Sequence, residues 1–229
     1  MTTRPFHGRM KMADLIAHNH NLILFMPRFG ISLGFRDKRV EEVCREHGVS
    51  TDLFLLVCNV CTFDHYQPSL DELASADISG VVHFLKASHA YYLEKIPHIG
   101  NHISRIADQM GKRYGAILKK FYADYQAELG DHFAYEESVV FPYLEALRSG
   151  RATERQPLSR LDHSHEGIEE TLGDLTQIVY KYLPGDLMPD ESIDVVFDIL
   201  QLSSDFQKHY LIEEKVVIPY ILQMEGGAL

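Results

Sequence analysis

The chain has 229 residues and a mass of 26.2 kDa, with 45% hydrophobic and 24% charged residues, a balance that excludes disordered and collagen-like chains and allows one large domain or an ordinary domain with a small appendage. A formal net charge of −11 disfavours phosphate backbones and anionic membrane surfaces as partners, so neither nucleic acid nor membrane is expected. Three cysteines are too few, and of the wrong parity, for a disulfide framework. No run of about 18 apolar residues suits a membrane span, and the polar start lacks the plan of a signal peptide, so a cytoplasmic protein is expected. Thirteen histidines beside no tryptophan direct attention to metal ligands.

Apolar residues recur at three- and four-residue spacing and seldom alternate, which predicts an all-α fold. One helical segment is predicted from Lys11 to about Phe29, then a turn through Phe35, then a short helix from about Asp37 to His47 with Gly48 just past its end. Ser50 or Thr51 can cap a helix from Asp52 to about Thr62. Residues 1–66 are therefore expected to form a small helical N-terminal domain. The polar stretch Gln67–Ala76 reads as the boundary. Four long amphipathic helices follow, at about Asp77–Ile99, Ile103–Arg148, Glu154–Tyr182 and Pro189–Met224, with Gly- and Pro-bearing breaks separating the last three. Short connections between long helices predict an antiparallel four-helix bundle over residues 77–229.

The second and fourth of these helices repeat one another. His132-Phe-Ala-Tyr-Glu136-Glu137-Ser-Val139-Val140-Phe-Pro142-Tyr143 aligns without a gap on His209-Tyr-Leu-Ile-Glu213-Glu214-Lys-Val216-Val217-Ile-Pro219-Tyr220. Residues four apart share a helix face, so His132 points with Glu136 and His209 with Glu213. Both pairs fall within apolar stripes, one containing Leu118, Tyr122, Tyr125 and Leu129, the other Val195, Ile199, Leu202 and Phe206. A carboxylate turned toward a core costs several kcal/mol unless it is paired or bound to metal. The first and third helices supply matching imidazoles: Ser88-His89 lies 43 residues before His132, and Ser164-His165 lies 44 before His209. His163, the competitor on the third helix, breaks this symmetry and faces elsewhere. Four His and two Glu exceed the needs of a four-coordinate structural zinc. Two metals sharing the carboxylates as bridges use all six, and iron suits such ligands, as do manganese and zinc.

With these residues in place, the chain resembles the hemerythrin-like (HHE) di-iron domain, and more closely the iron–sulfur cluster repair di-iron proteins. The resemblance covers about Asp77 to Met224. It implies that His89 and His132 bind one iron and His165 and His209 the other, with Glu136 and Glu213 bridging, giving an oxo- or hydroxo-bridged pair of iron ions. Oxygen-carrying hemerythrins have a further His four residues along the third helix, where this chain has Glu169. Phe29-Gly-Ile31 leading into Val40-Glu-Glu-Val-Cys44 is similar to the N-terminal domain of the repair family. The adjacent cysteine pair expected there is replaced by Ser32-Leu33-Gly34-Phe35.

The resemblance implies a response to nitric oxide or oxidative stress, by binding or reducing a diatomic ligand (nitric oxide or oxygen) or by donating iron, with damaged iron–sulfur proteins as partners. Cycling between a ferrous pair and an oxo-bridged ferric pair keeps the net charge of the site constant, which suits a buried location. The alternatives are a di-iron binding or sensing module without turnover, or a metal-free helical interaction protein. His98 and His102 form a second H-x-x-x-H pair, expected on the surface and away from the site. Cys58 and Cys61, a single C-x-x-C, are expected as buried core residues. Tyr92, Tyr122, Tyr125 and Tyr135 are expected to fill space near the metals.

Overall fold

The computed structural model of the chain describes residues 5–152, 159–182 and 189–226, and the side chains of 159–166, 169 and 189–192 lie outside that description. The described residues are helical, as the periodicity predicts; the exception to helix and loop is an isolated bridge between Lys11 and Arg39. Among them no helix is long and apolar enough to cross a membrane. They form two compact units. One draws on the described residues of Met1–Ser88, Tyr143–Arg155 and Lys208–Leu229, the other on those of His89–Pro142 and Gln156–Gln207.

In the first unit, the single helix expected over Lys11–Phe29 is divided into α1 (Met12–His18), a 3₁₀ turn (His20–Leu24) and α2 (Phe25–Arg28). Asn19 causes the break: its backbone is extended, and its side-chain oxygen accepts from the Asn21 amide at 3.1 Å, a local bond that competes with helix continuation. Helices α3 (Val40–Glu46) and α4 (Thr51–Thr62) follow. Ser50 caps α4 through the Leu53 amide, as its residue type predicts. The segment read as a polar boundary holds a short helix, α5 (Leu70–Ser75). Ser69 and Glu72 form a reciprocal capping box there, the Ser69 hydroxyl accepting from the Glu72 amide at 3.2 Å and the Glu72 carboxylate from the Ser69 amide at 2.8 Å. That S-x-x-E signature outweighed the poor periodicity.

Helix α6 (Ile78–Gln109) runs unbroken through Pro97, Gly100 and Asn101, where the sequence suggested a break between Ile99 and Ile103. Pro97 cannot donate to the carbonyl four residues back, but that carbonyl belongs to Leu93 on an exposed face. The buried row Tyr92, Ile96, Ile99, Ile103 and Ile106 continues past it. The reversal comes instead at Gly111, whose φ of +77° is left-handed and disfavoured for any residue with a Cβ.

Helix α7 (Gly111–Tyr135) then returns along α6. The two backbones meet at Gly115, where an added Cβ would lie 2.0 Å from the Ala107 carbonyl oxygen. Helix α8 (Phe141–Arg148) follows a π-turn, and α9 (Ser159–Tyr182), α10 (Pro189–Ile212), a second π-turn and α11 (Ile218–Met224) complete the chain. The second unit is a four-helix bundle. Ile103 of α6, Leu118 and Tyr125 of α7, Leu172 of α9 and Ile199 and Phe206 of α10 share its core.

Candidate metal centre

Both segments carrying the repeated motif leave α-helical geometry at the same place. A π-turn spans Glu136–Val140 and another spans Glu213–Val217. In the first the Phe141 amide bonds to the carbonyl of Glu136, and in the second the Ile218 amide bonds to that of Glu213, five residues back in each case. The shared prolines account for this position. Pro142 and Pro219 have no N–H, and their rings clash with the carbonyl four residues earlier in a regular helix; one extra residue per turn relieves the conflict. π-Turns of this kind recur at functional sites.

Within the bundle unit, one carboxylate stands between two imidazoles. His132 Nε2 lies 2.6 Å from Glu136 Oε1, and His89 Nε2 lies 2.8 Å from Glu136 Oε2. All three side chains have at most 1% of their surface exposed. The His89 ring is held by stacking on Phe133, with centroids 4.0 Å apart and planes 17° from parallel, and on Phe141, with centroids 5.6 Å apart and planes 20° from parallel. Tyr92 stacks on Phe133 and meets Phe206 edge-on, and Phe206 meets the His132 ring. These aromatic groups form an apolar wall beside the polar atoms, and a low-dielectric wall strengthens every electrostatic interaction it encloses.

In the other unit the second pair has the same internal arrangement. His209 Nε2 lies 3.2 Å from Glu213 Oε1, with both side chains buried. Lys208, just before His209, accepts a bond at its carbonyl from the Cys61 thiol at 3.6 Å. Lys215, just after Glu214, is 7% exposed. Its ammonium donates to the carbonyls of Asp64 and Tyr66 at 2.8 and 3.3 Å.

Each unit thus buries one imidazole and one carboxylate of the repeated motif side by side, His132 with Glu136 in one and His209 with Glu213 in the other. Imidazole nitrogens and carboxylate oxygens bind a transition ion at about 2.0–2.2 Å, so neighbouring ligands on one ion stand roughly 3 Å apart. The His–Glu separations of 2.6 to 3.2 Å are of that order. The donor set contains no thiolate, and hard oxygen with borderline nitrogen fits iron, manganese or zinc.

Of the six residues the sequence nominates, His89, His132, Glu136, His209 and Glu213 are buried. His165 lies on α9, but its side chain is outside the described residues, as are those of His163 and Glu169. His98 is exposed and His102 half-buried, their rings 4.6 Å apart. Cys44, Cys58 and Cys61 are buried free thiols. Burial pushes the Cys44 thiol up to about 11 and Cys58 well above its ordinary value, which suits core packing and not thiolate chemistry. Tyr92, Tyr122 and Tyr125 are buried in the bundle core, Tyr135 half-buried. The Tyr122 hydroxyl donates to the Ile96 carbonyl.

Two residues escaped the sequence reading. Glu137 is half-exposed, yet its Oε1 lies 2.8 Å from His89 Nδ1. The signal was the Glu-Glu doublet present in both motif copies. Asp205 is 3% exposed, one helical turn before His209; its acidic side chain on the buried stripe was the available clue.

The family model for the hemerythrin HHE cation-binding domain matches residues 80–221. No curated protein matches the chain.

Proposed function

This chain belongs to the hemerythrin HHE cation-binding family, and from that premise we propose that it is a non-haem di-iron protein of the iron–sulfur cluster repair type. In this reading His89 and His132 serve one iron, His165 and His209 the other, and Glu136 and Glu213 span the two. The observation that carries it is the buried His–Glu pair that each motif copy presents, His132 with Glu136 and His209 with Glu213. Two buried carboxylates, Glu136 between two imidazoles and Glu213 beside one, are costly as bare ionisable groups, and a pair of divalent ions offsets that cost.

Iron held there supplies a reducible centre with Lewis-acid character that can take up a diatomic molecule such as nitric oxide or oxygen. The protein's part is to supply the two carboxylates that offset half the charge of a divalent pair and the imidazoles that stay neutral in the process. The wall of Tyr92, Phe133, Phe141 and Phe206 limits access by water. The working role is a response to nitric oxide or oxidative stress, and damaged iron–sulfur proteins are the partners this reading names.

The test is iron quantified per chain on protein purified without added metal, with absorption spectra before and after nitric oxide. Two irons per chain and a spectral change on adding nitric oxide are expected. Metal-free protein that takes up no iron on reconstitution would overturn the reading.

A further inference from the structure

Glu137 is not among the ligands, and its position in the fold gives it a different task. Consecutive residues of a helix point about 100° apart, so at the start of the π-turn Glu136 is turned fully inward while Glu137 is 47% exposed. Between them stands the His89 ring. Its Nε2 faces Glu136 Oε2 at 2.8 Å, and its Nδ1 faces Glu137 Oε1 at 2.8 Å. The stack of Phe133 and Phe141 prevents the ring from turning freely about its long axis. An ionised carboxylate can only accept a hydrogen bond, so a bond at this position requires the proton of neutral His89 to sit on Nδ1. The Nε2 lone pair then faces Glu136 Oε2, which also only accepts, so these two atoms stand as two ligands of one ion would and not as a hydrogen-bonded pair.

We propose that Glu137 is a positioning residue for the metal centre, holding His89 in the tautomer and orientation in which Nε2 ligates; the proposal rests on the metal-site reading above. Carboxylates that orient a ligating imidazole in this way change metal affinity by about 10- to 100-fold when removed. Its half-exposed side chain makes Glu137 dispensable for the core, which separates this role from a purely structural one.

The experiment uses the full chain as wild type, Glu137→Ala and Glu137→Gln, with zinc(II) alone as a diamagnetic probe. Zinc affinity is read by competition with a chromophoric chelator, and the His89 ring nitrogens by ¹⁵N NMR. In zinc-loaded wild type, Nε2 is expected to be metal-bound and Nδ1 protonated. Glu137→Ala should lose about 10- to 100-fold in affinity while keeping its helical circular dichroism. Glu137→Gln, whose amide oxygen still accepts, should recover most of that loss.

Equal zinc affinity in wild type and Glu137→Ala, ligation through Nδ1, or Glu137→Gln as weak as Glu137→Ala would each overturn the proposal and leave the metal site standing. Wild type that takes up no zinc and no iron would remove the metal-site reading and the proposal together. Should Glu137→Ala fail to fold, the wild-type NMR and the Glu137→Gln affinity still decide.

Discussion

Glu136 is the residue on which the geometry converges, since its two oxygens face the imidazoles of His89 and His132 at 2.8 and 2.6 Å. Replacing it with alanine removes the carboxylate shared by those rings. Glu136→Ala is therefore expected to bind well under two irons per chain by elemental analysis, and unchanged stoichiometry would show that Glu136 is not a ligand. The inward direction of this side chain was readable from local spacing alone, because His132 and Glu136 lie four apart in a stripe of apolar residues. The bond from Glu137 to His89 was not readable. It joins residues 48 apart in sequence, and the register between α6 and α7 that sets it is a property of packing.

At the scale of the element, the α6–α7 hairpin shows how packing overrides local signals. Pro97, Gly100 and Asn101 resemble a stop, yet the buried isoleucine row carries α6 on to Gln109, and Gly111 makes the turn. The close approach behind that turn is testable. Gly115→Ala places a methyl group 2.0 Å from the backbone oxygen of Ala107, an atom that cannot swing aside as a side chain does. A loss of about 1–3 kcal/mol is expected, measured as a lower urea midpoint; a variant as stable as wild type would mean that α6 and α7 separate there without cost. The π-turns make the complementary point. Their place follows from Pro142 and Pro219, which local sequence displays, whereas the meeting of Glu136 with the His89 ring requires α6 to pack beside it.

At the scale of the whole molecule, one compact unit joins the N-terminal helices to segments far along the chain. Lys215 is the clearest link, its buried ammonium bonded to carbonyls at Asp64 and Tyr66, with Gln223 reaching the Leu70 carbonyl nearby. The first motif copy has Ser138 at the matching position, and it is exposed, so the two copies differ at the residue that holds the N-terminal segment. Hydrogen bonds to charged groups contribute about 1.5–3 kcal/mol. Lys215→Met, which keeps the stem but loses the ammonium, should lower the urea midpoint by a stability loss of that order. No change would mean that the carbonyls are equally well served by water.

The sequence by itself determined the all-α class, the tandem motif and the face on which its His and Glu residues lie, because helical periodicity and i,i+4 spacing are local and need no knowledge of neighbours. Tertiary structure decided where α6 ends, which buried oxygen meets which imidazole, and that a half-exposed Glu137 reaches His89. Those outcomes depend on the register of helices brought together by burial, and burial responds to the summed surface of many residues, a quantity that no short stretch of the chain contains.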